Sequence, residues 1–141
     1  MKHFTLHPTL AADCHDLGVW RDLRLLLHRD AHVPWLILVP ETSITEWHEL
    51  PGDLHRQLLA ASTLLARMLK TDFACDKVNV AAIGNMVPQF HYHVIGRRKA
   101  DPYWPGVVWG RVLPGAEYKA AEVSEMGDRV LRVLGGAGET A

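Results

Sequence analysis

The sequence predicts an α+β domain built around an antiparallel sheet. Strand-like apolar runs and helical stretches alternate irregularly along the chain, and the first two runs are close enough to form a hairpin. A doubly wound parallel sheet would instead need a long crossover between successive strands. The 141 residues, 48% hydrophobic and 22% charged, have the size and composition of one globular domain, which we predict to span 1–141.

Four segments of the sequence have the character of strands. Each is a short, mostly apolar run bounded by residues that favour turns. The last of them alternates polar and apolar residues with the period of two expected of a half-buried strand. The four segments are Leu23–Arg29, Trp35–Val39, Lys77–Ile83 and Gln89–Arg97.

Two longer segments are predicted to be helices. Asp53–Lys70 carries apolar residues at the i, i+4, i+7 spacing of one buried stripe, and its first residue is a good N-cap. A second helix is expected at about 117–134, although Gly127 weakens this prediction. The tail 135–141 is expected to be flexible, and residues 1–22 show no clear element.

Charge and cysteine content exclude several classes of function. Fifteen Lys and Arg against sixteen Asp and Glu give a net charge of -1, so we expect neither a nucleic-acid nor a membrane partner. Cys14 and Cys75 form no CxxC pair, which excludes a zinc ribbon or a thioredoxin-like site. The first residues lack the apolar run of a signal peptide, so a cytoplasmic protein with reduced thiols is expected.

The candidate site lies in the last strand-like segment. Residues two apart on a strand share one face, so Gln89, His91 and His93 are predicted to point the same way. The apolar residues between them would face the core. A face that carries one amide and two imidazoles is not what simple burial selects, because buried imidazoles need hydrogen-bond partners.

Three interpretations of this face compete. The two histidines could be solvent-facing residues with no special role. They could supply two metal ligands, but a zinc or iron site needs a third, and the cations at 97–99 favour an anion instead. The third interpretation is phosphoryl chemistry, because a neutral imidazole is a good nucleophile near pH 7 and a second imidazole can donate to phosphate oxygens. The turn at Gly84–Asn85 offers further donors to the same phosphate.

The segment Pro88–Arg97 resembles the signature of the histidine triad (HIT) superfamily, His-φ-His-φ-His-φ-φ, in which φ is apolar. The resemblance extends over about residues 20–110. Trp35–Pro40 resembles the family's apolar strand that ends in proline, and Asp101–Gly106 resembles its Trp-containing segment.

The resemblance implies a HIT-like fold with about five antiparallel strands and two main helices, commonly as a homodimer. It implies a nucleotide hydrolase or nucleotidyl transferase that acts at the α-phosphate through a nucleotidyl-histidine intermediate. The substrate would be a nucleotide conjugate of the dinucleoside polyphosphate or nucleoside phosphoramidate type. No cofactor would be required, and Mg²⁺ would enter only with a polyphosphate substrate.

The resemblance also implies a role for individual residues. His91 would attack phosphorus and His93 would donate to a non-bridging phosphate oxygen. Asp30 would hold the ribose hydroxyls. The other implied substrate contacts are Asn85, Asn79 and Gly84 near the phosphate, and Trp35 and Leu27 at the base.

One departure from the signature concerns its first position, where Gln89 replaces a histidine. Glutamine can donate and accept hydrogen bonds, but it cannot titrate and cannot protonate a leaving group. We therefore expect a nucleotide pocket with slow or altered catalysis. A non-catalytic nucleotide-binding or sensing module is the main alternative, and a metalloprotein that uses His91 and His93 is a less favoured one.

Overall fold

A five-stranded antiparallel sheet lies at the centre of the protein, as predicted. The computed structural model describes residues 4–111 and 113–138. Every pair of neighbouring strands is antiparallel. In chain order the strands are β1 (Cys14–Trp20), β2 (Leu23–His28), β3 (Trp35–Pro40), β4 (Lys77–Ala81) and β5 (Tyr92–Arg97). Their spatial order is β1-β2-β3-β5-β4, which leaves β1 and β4 as the two edges.

Two main helices cover one face of the sheet, which also agrees with the prediction. The helix α2 spans Gly52–Asp72 and packs against β5, and α3 spans Ala120–Gly138 and packs against β1. The short helix α1 (Pro8–Asp13) precedes β1, and a 3₁₀ turn at Trp47–Glu49 precedes α2. Among the described residues, no helix is long and apolar enough to cross a membrane.

The strands bury apolar side chains on both faces, because successive residues of a strand point to opposite sides of the sheet. Leu36 and Leu38 of β3 belong to the larger core beneath α2 and α3. Trp35 and Ile37 belong to a second core on the other face, which Leu10 of α1 joins. No long helix of the described residues covers this second face, and the candidate site lies there.

The N-terminal region differs most from the sequence-based expectation. It forms α1 and β1, and Leu17 of β1 joins the main core, although residues 1–22 showed no clear element in the sequence. A bulge between Asp16 and Gly18 breaks the alternation of β1, and Gly18 has φ +113°, which favours glycine. Because of the bulge and the polar residues around it, the sequence of β1 does not show the regular alternation of polar and apolar residues that predicts a strand.

The C-terminal helix begins and ends a few residues later than predicted. It continues through residues 135–138, which were expected to belong to a flexible tail, while 139–141 lie outside the described residues. Gly127 weakens the prediction of a helix, but α3 continues through it, and a Cβ there would be in ordinary van der Waals contact with a side-chain atom of Leu17, 3.6 Å away.

Candidate active site

The two histidines predicted to act together do lie together. His93 is the second residue of β5, and its ring lies on the face of the sheet opposite α2. His91 immediately precedes the strand. The ring centroids are 5.0 Å apart with an interplanar angle of 67°, and the two residues are only 8% and 5% exposed. This pair is the centre of the candidate site.

The hydrogen bonds at Nδ1 give the two imidazoles opposite tautomers. Nδ1 of His91 lies 2.8 Å from the Gln89 carbonyl oxygen, which can only accept, so this nitrogen carries the hydrogen. Nδ1 of His93 lies 2.9 Å from Nε1 of Trp35, which can only donate, so this nitrogen carries the lone pair. In the neutral rings, Nε2 of His91 is therefore a lone-pair donor to an electrophile, and Nε2 of His93 is a hydrogen-bond donor.

Burial keeps both rings neutral near neutral pH. Burial lowers the pKa of His91, although the hydrogen bond to the Gln89 carbonyl opposes this shift and the charge of His7 adds to it. Burial also lowers the pKa of His93 to about 3, with further contributions from the charges of His91 and His28. An uncharged His91 is the form that can act as a nucleophile.

A cavity of about 390 Å³ opens beside the two rings. This volume lies within the range of ligand-binding pockets. Its walls come from α1, from β2 and β3, and from the loops before and after β5. Besides His91 and His93, residues that line it include Thr9, Leu10, Asp13, His28, Trp35, Ile37, Gly84, Asn85, Val87 and Trp109.

Gly84 and Asn85 lie where the sequence placed them, at the turn before the histidines. Both line the cavity. Gly84 has φ +69°, a left-handed conformation that a glycine adopts without strain. Their contact with a phosphate remains a prediction, but the turn is in position to make one.

Gln89 lies outside the strand, so the strand face predicted for Gln89, His91 and His93 does not extend to it. The strand begins only at Tyr92, three residues later than expected. The Gln89 side chain instead binds the N-terminal segment: its Oε1 accepts from the His7 backbone N–H at 2.9 Å, and its Nε2 donates to the Thr5 carbonyl at 2.9 Å. This amide clamp holds the chain just before α1, and α1 supplies one wall of the cavity.

Asp30 is not among the residues that line the cavity, and the ribose contact expected of it stays a prediction. Its carboxylate accepts from the Tyr103 hydroxyl, from the His32 backbone and, at 2.7 Å, from the His32 ring. Burial alone would raise the pKa of Asp30, but these hydrogen bonds outweigh it and lower the pKa. The acidic residue that does line the cavity is Asp13, an exposed residue at the end of α1.

Two further predicted contacts also lie elsewhere. Leu27 is fully buried in the core beneath the helices, on the opposite face of the sheet from Trp35. Asn79 accepts from the guanidinium of Arg97 at 2.9 Å, and Arg97 in turn donates to Asp101. Asn79 thus belongs to a buried polar network at β4 and does not line the cavity.

The sequence placed His28 near the edge of the pocket as a possible ligand contact, and in the structure it is a neighbour of Trp35. His28 stacks on the indole, with ring centroids 3.9 Å apart and an interplanar angle of 10°. Burial lowers the pKa of His28, although the charges of Asp13 and Asp30 oppose the shift. The alternation of His28 with apolar residues of β2 was the only feature of the sequence that pointed to this position. The sequence left Leu10–Asp13 open between a helical turn and a loop, because six residues are too few for a helical period to be visible.

The hypothesis of a metal site at His91 and His93 requires further ligands near the two rings. No group of three or more His, Cys, Asp or Glu side chains there is arranged to hold a metal ion. His91 and His93 together would supply two ligands, and a zinc site requires more.

Fold and site together define an α+β protein in which two imidazoles of opposite tautomer form one wall of a ligand-sized cavity. The chain belongs to the HIT family, because the family's HIT domain matches residues 13–100. The resemblance seen in the sequence is thereby confirmed. Membership of this family supports nucleotide binding and, at a coarse level, HIT-type hydrolase or transferase chemistry.

Solved structures of histidine triad proteins resemble the chain over nearly its whole length. The protein from Marinobacter aquaeolei VT8 is 43% identical, with 94% of this chain and 97% of that chain covered and a TM-score of 0.85. The protein from Bradyrhizobium japonicum is 37% identical, with 93% and 98% covered and a TM-score of 0.84. The protein from Sinorhizobium meliloti 1021 is 36% identical, with 92% and 96% covered and a TM-score of 0.84. No curated protein matches the chain.

Proposed function

We propose that the protein is a nucleotide hydrolase or nucleotidyl transferase that acts at the α-phosphate of a nucleotide conjugate. The observation that carries this proposal is the pair of complementary tautomers at His91 and His93, 5.0 Å apart at the wall of the cavity. One ring presents a lone pair and the other an N–H, which is what attack on a phosphorus with negatively charged oxygens requires.

In the first step, the lone pair on Nε2 of His91 forms a bond to the α-phosphorus. The bond from phosphorus to the leaving group breaks, and its electron pair departs with the leaving group. The ring becomes a nucleotidyl-imidazolium whose Nδ1–H stays on the Gln89 carbonyl, 2.8 Å away. Nε2–H of His93 donates to a non-bridging oxygen as charge develops there.

In the second step, water or another acceptor attacks the same phosphorus. The bond between nitrogen and phosphorus breaks and its electron pair returns to Nε2 of His91. With water as the acceptor, a proton is lost to solvent and a nucleoside monophosphate is released. This cycle needs no resident cofactor, and Mg²⁺ would arrive only as the counter-ion of a polyphosphate substrate.

The nucleoside would occupy the apolar part of the same cavity. Leu10, Ile37 and Val87 line this part and can pack against a base. Asp13 lines it as well, and we assign to Asp13 the ribose contact that the sequence assigned to Asp30. A carboxylate is well suited to accept hydrogen bonds from the two ribose hydroxyls.

We also propose that the protein forms a homodimer, as the family resemblance implies. The strand β4 is an edge of the sheet, and Val80 on it is 50% exposed. Ile83, just beyond the strand, is 43% exposed. Exposed apolar side chains on an unpaired edge favour association with another chain. Light scattering coupled to gel filtration measures the molar mass, and a mass of one chain across the working concentrations would contradict the proposal.

The direct test of the reaction is to trap the intermediate. The protein is incubated with a nucleotide conjugate radiolabelled at the α-phosphate and quenched in base, since a phosphoramidate bond is stable in base and labile in acid. The wild type should carry the label, and so should His48→Ala, which removes an exposed histidine outside the cavity. His91→Ala should carry none.

Absence of the label on the wild type, under conditions in which the nucleotide binds, would contradict the covalent mechanism. Measurable affinity for a nucleoside monophosphate with no turnover would then favour the non-catalytic binding module.

A further inference from the structure

Trp35 is joined to His93 by a hydrogen bond inside the protein. The indole Nε1 lies 2.9 Å from Nδ1 of His93, and the two residues are 6% and 5% exposed. Trp35 belongs to β3 and His93 to β5, and the two strands are direct neighbours in the sheet. The bond therefore links two paired strands, β3 and β5, which cannot separate without loss of the hydrogen bonds of the sheet.

We propose that Trp35 is a positioning residue that holds His93 in the one tautomer able to donate to the phosphate. This inference rests on the proposed function for its catalytic consequence, whereas the tautomer itself is a property of the unliganded protein. The indole acts through His93 and has no chemical role in the transfer.

The indole selects the tautomer because it can only donate. If Nδ1 of His93 carried the hydrogen, two N–H groups would face each other across 2.9 Å in a buried place, and neither would have its acceptor. With the hydrogen on Nε2, the bond to Trp35 is satisfied and the N–H is free to face the cavity that His93 lines.

Trp35 is itself held in place from two sides. His28 stacks on the indole at 3.9 Å, and Nδ1 of His28 accepts from the Asp30 backbone N–H at 3.1 Å, which fixes the orientation of that ring. Trp109 meets the indole edge-on, with centroids 6.1 Å apart and an interplanar angle of 86°. The orientation of His93 thus depends on a chain of contacts that begins at the backbone of Asp30.

This arrangement explains how the site is ordered although Gln89 stands at the first position of the signature. The tautomer of His91 is set by a backbone carbonyl and that of His93 by an indole, and neither group titrates. No third imidazole is needed to orient the pair.

The tautomer is measurable by nuclear magnetic resonance on protein with isotope-labelled histidine nitrogens. In the wild type, His93 should be entirely in the Nε2–H form at neutral pH, and a scalar coupling across the hydrogen bond should connect its Nδ1 to the Trp35 indole. Trp35→Phe keeps an aromatic ring against His28 but removes the donor, so His93 should become a mixture of tautomers.

The matched control is Trp109→Phe. Trp109 also contacts the His93 ring, with centroids 5.1 Å apart, but its Nε1 makes no hydrogen bond to any described residue. This variant should leave the tautomer of His93 unchanged. A wild-type His93 with its hydrogen on Nδ1, or an unchanged tautomer in Trp35→Phe, would overturn the proposal.

The catalytic consequence is read from kcat and KM separately. Loss of a donor to a developing oxyanion costs about 10²–10³-fold in rate, so a partial loss in Trp35→Phe should lower kcat by about tenfold or more and leave KM within a few-fold. A mixed tautomer with unchanged kcat would overturn the catalytic part of the inference. If no nucleotide conjugate is turned over by any variant, the proposed function fails while the resonance measurement still decides the role of Trp35.

Discussion

The indole of Trp35 donates to Nδ1 of His93 across 2.9 Å, between two neighbouring strands of the sheet. In the register of these strands, Ile37 lies opposite His93 and Trp35 lies opposite Ile95, so the bonded residues are diagonal neighbours on one face. The strand pairing brings the two side chains together, and the contacts of Trp35 with His28 and Trp109 hold the indole in place.

The acid limb of the pH–rate profile should lie below pH 6.5. Only neutral His91 can attack, and burial lowers its pKa from 6.5, so the rate should be constant near neutrality and fall as the pH drops through this lowered pKa. The groups that act on His91 are the Gln89 carbonyl, the charge of His7 and the neighbouring ring of His93.

The His7→Asn variant tests the assignment of this limb to His91. Asparagine is a good helix cap and can replace His7 at the start of α1, but it carries no charge. Without the repulsion from His7, the pKa of His91 should rise and the acid limb should move to higher pH. A limb above pH 6.5 in the wild type would contradict the assignment.

Asp13→Asn should abolish discrimination between ribonucleotides and dideoxynucleotides that lack both ribose hydroxyls. Hydrogen bonds to a charged group contribute about 1.5–3 kcal/mol, so the wild type should prefer the ribonucleotide by about tenfold or more. Isothermal titration with the two monophosphates measures this ratio. Asp30→Asn is the matched control and should keep the preference, since the Asp30 carboxylate is bound to Tyr103 and His32. Loss of the preference in Asp30→Asn alone would restore the sequence-based assignment.

Gln89→Ala should loosen the segment that leads into α1. The variant removes both hydrogen bonds of the amide clamp, to Thr5 and to His7. Hydrogen exchange of residues 5–13 should accelerate, and KM should rise more than kcat falls, since α1 lines the cavity. Gln89→Glu keeps the acceptor for the His7 N–H and loses the donor to Thr5, so it should have an intermediate effect. Unchanged exchange in both variants would show that the clamp does not hold the segment.

Gly96→Ala should destabilise the protein by about 1–3 kcal/mol, the range for overpacked cores. A Cβ at this position of β5 would lie 2.5 Å from Sγ of Cys75 and 2.9 Å from Cγ of Pro34. Urea denaturation gives the free energy of unfolding. Gly52→Ala is the control: its Cβ would meet only the end of the flexible Arg56 side chain, so its effect should be small. Equal effects of the two substitutions would show that the space around Gly96 can relax.

The sequence predicts the fold well because its strongest patterns belong to the elements that build the main core. The apolar runs at β2 and β3 and the long amphipathic helix α2 are where they were expected. The strand β1 was not predicted, because its bulge at Gly18 interrupts the period of two, and α3 ends later than the sequence predicted. Both errors concern elements whose position depends on tertiary packing.

The candidate site was predictable in its centre and much less so at its edges. His91 and His93 are two residues apart, so local geometry brings them together in any extended conformation. Gln89 departs from that geometry because its amide binds a backbone segment more than 80 residues earlier in the chain. Asp13 could be recognised as a cavity residue only from the three-dimensional position of α1.

The indole that orients His93 also reports on the cavity it lines. Trp35 and Trp109 both face the ligand space, and a protonated or displaced imidazole beside an indole changes its emission. Occupancy of the cavity should therefore be visible in the intrinsic fluorescence of the unlabelled protein.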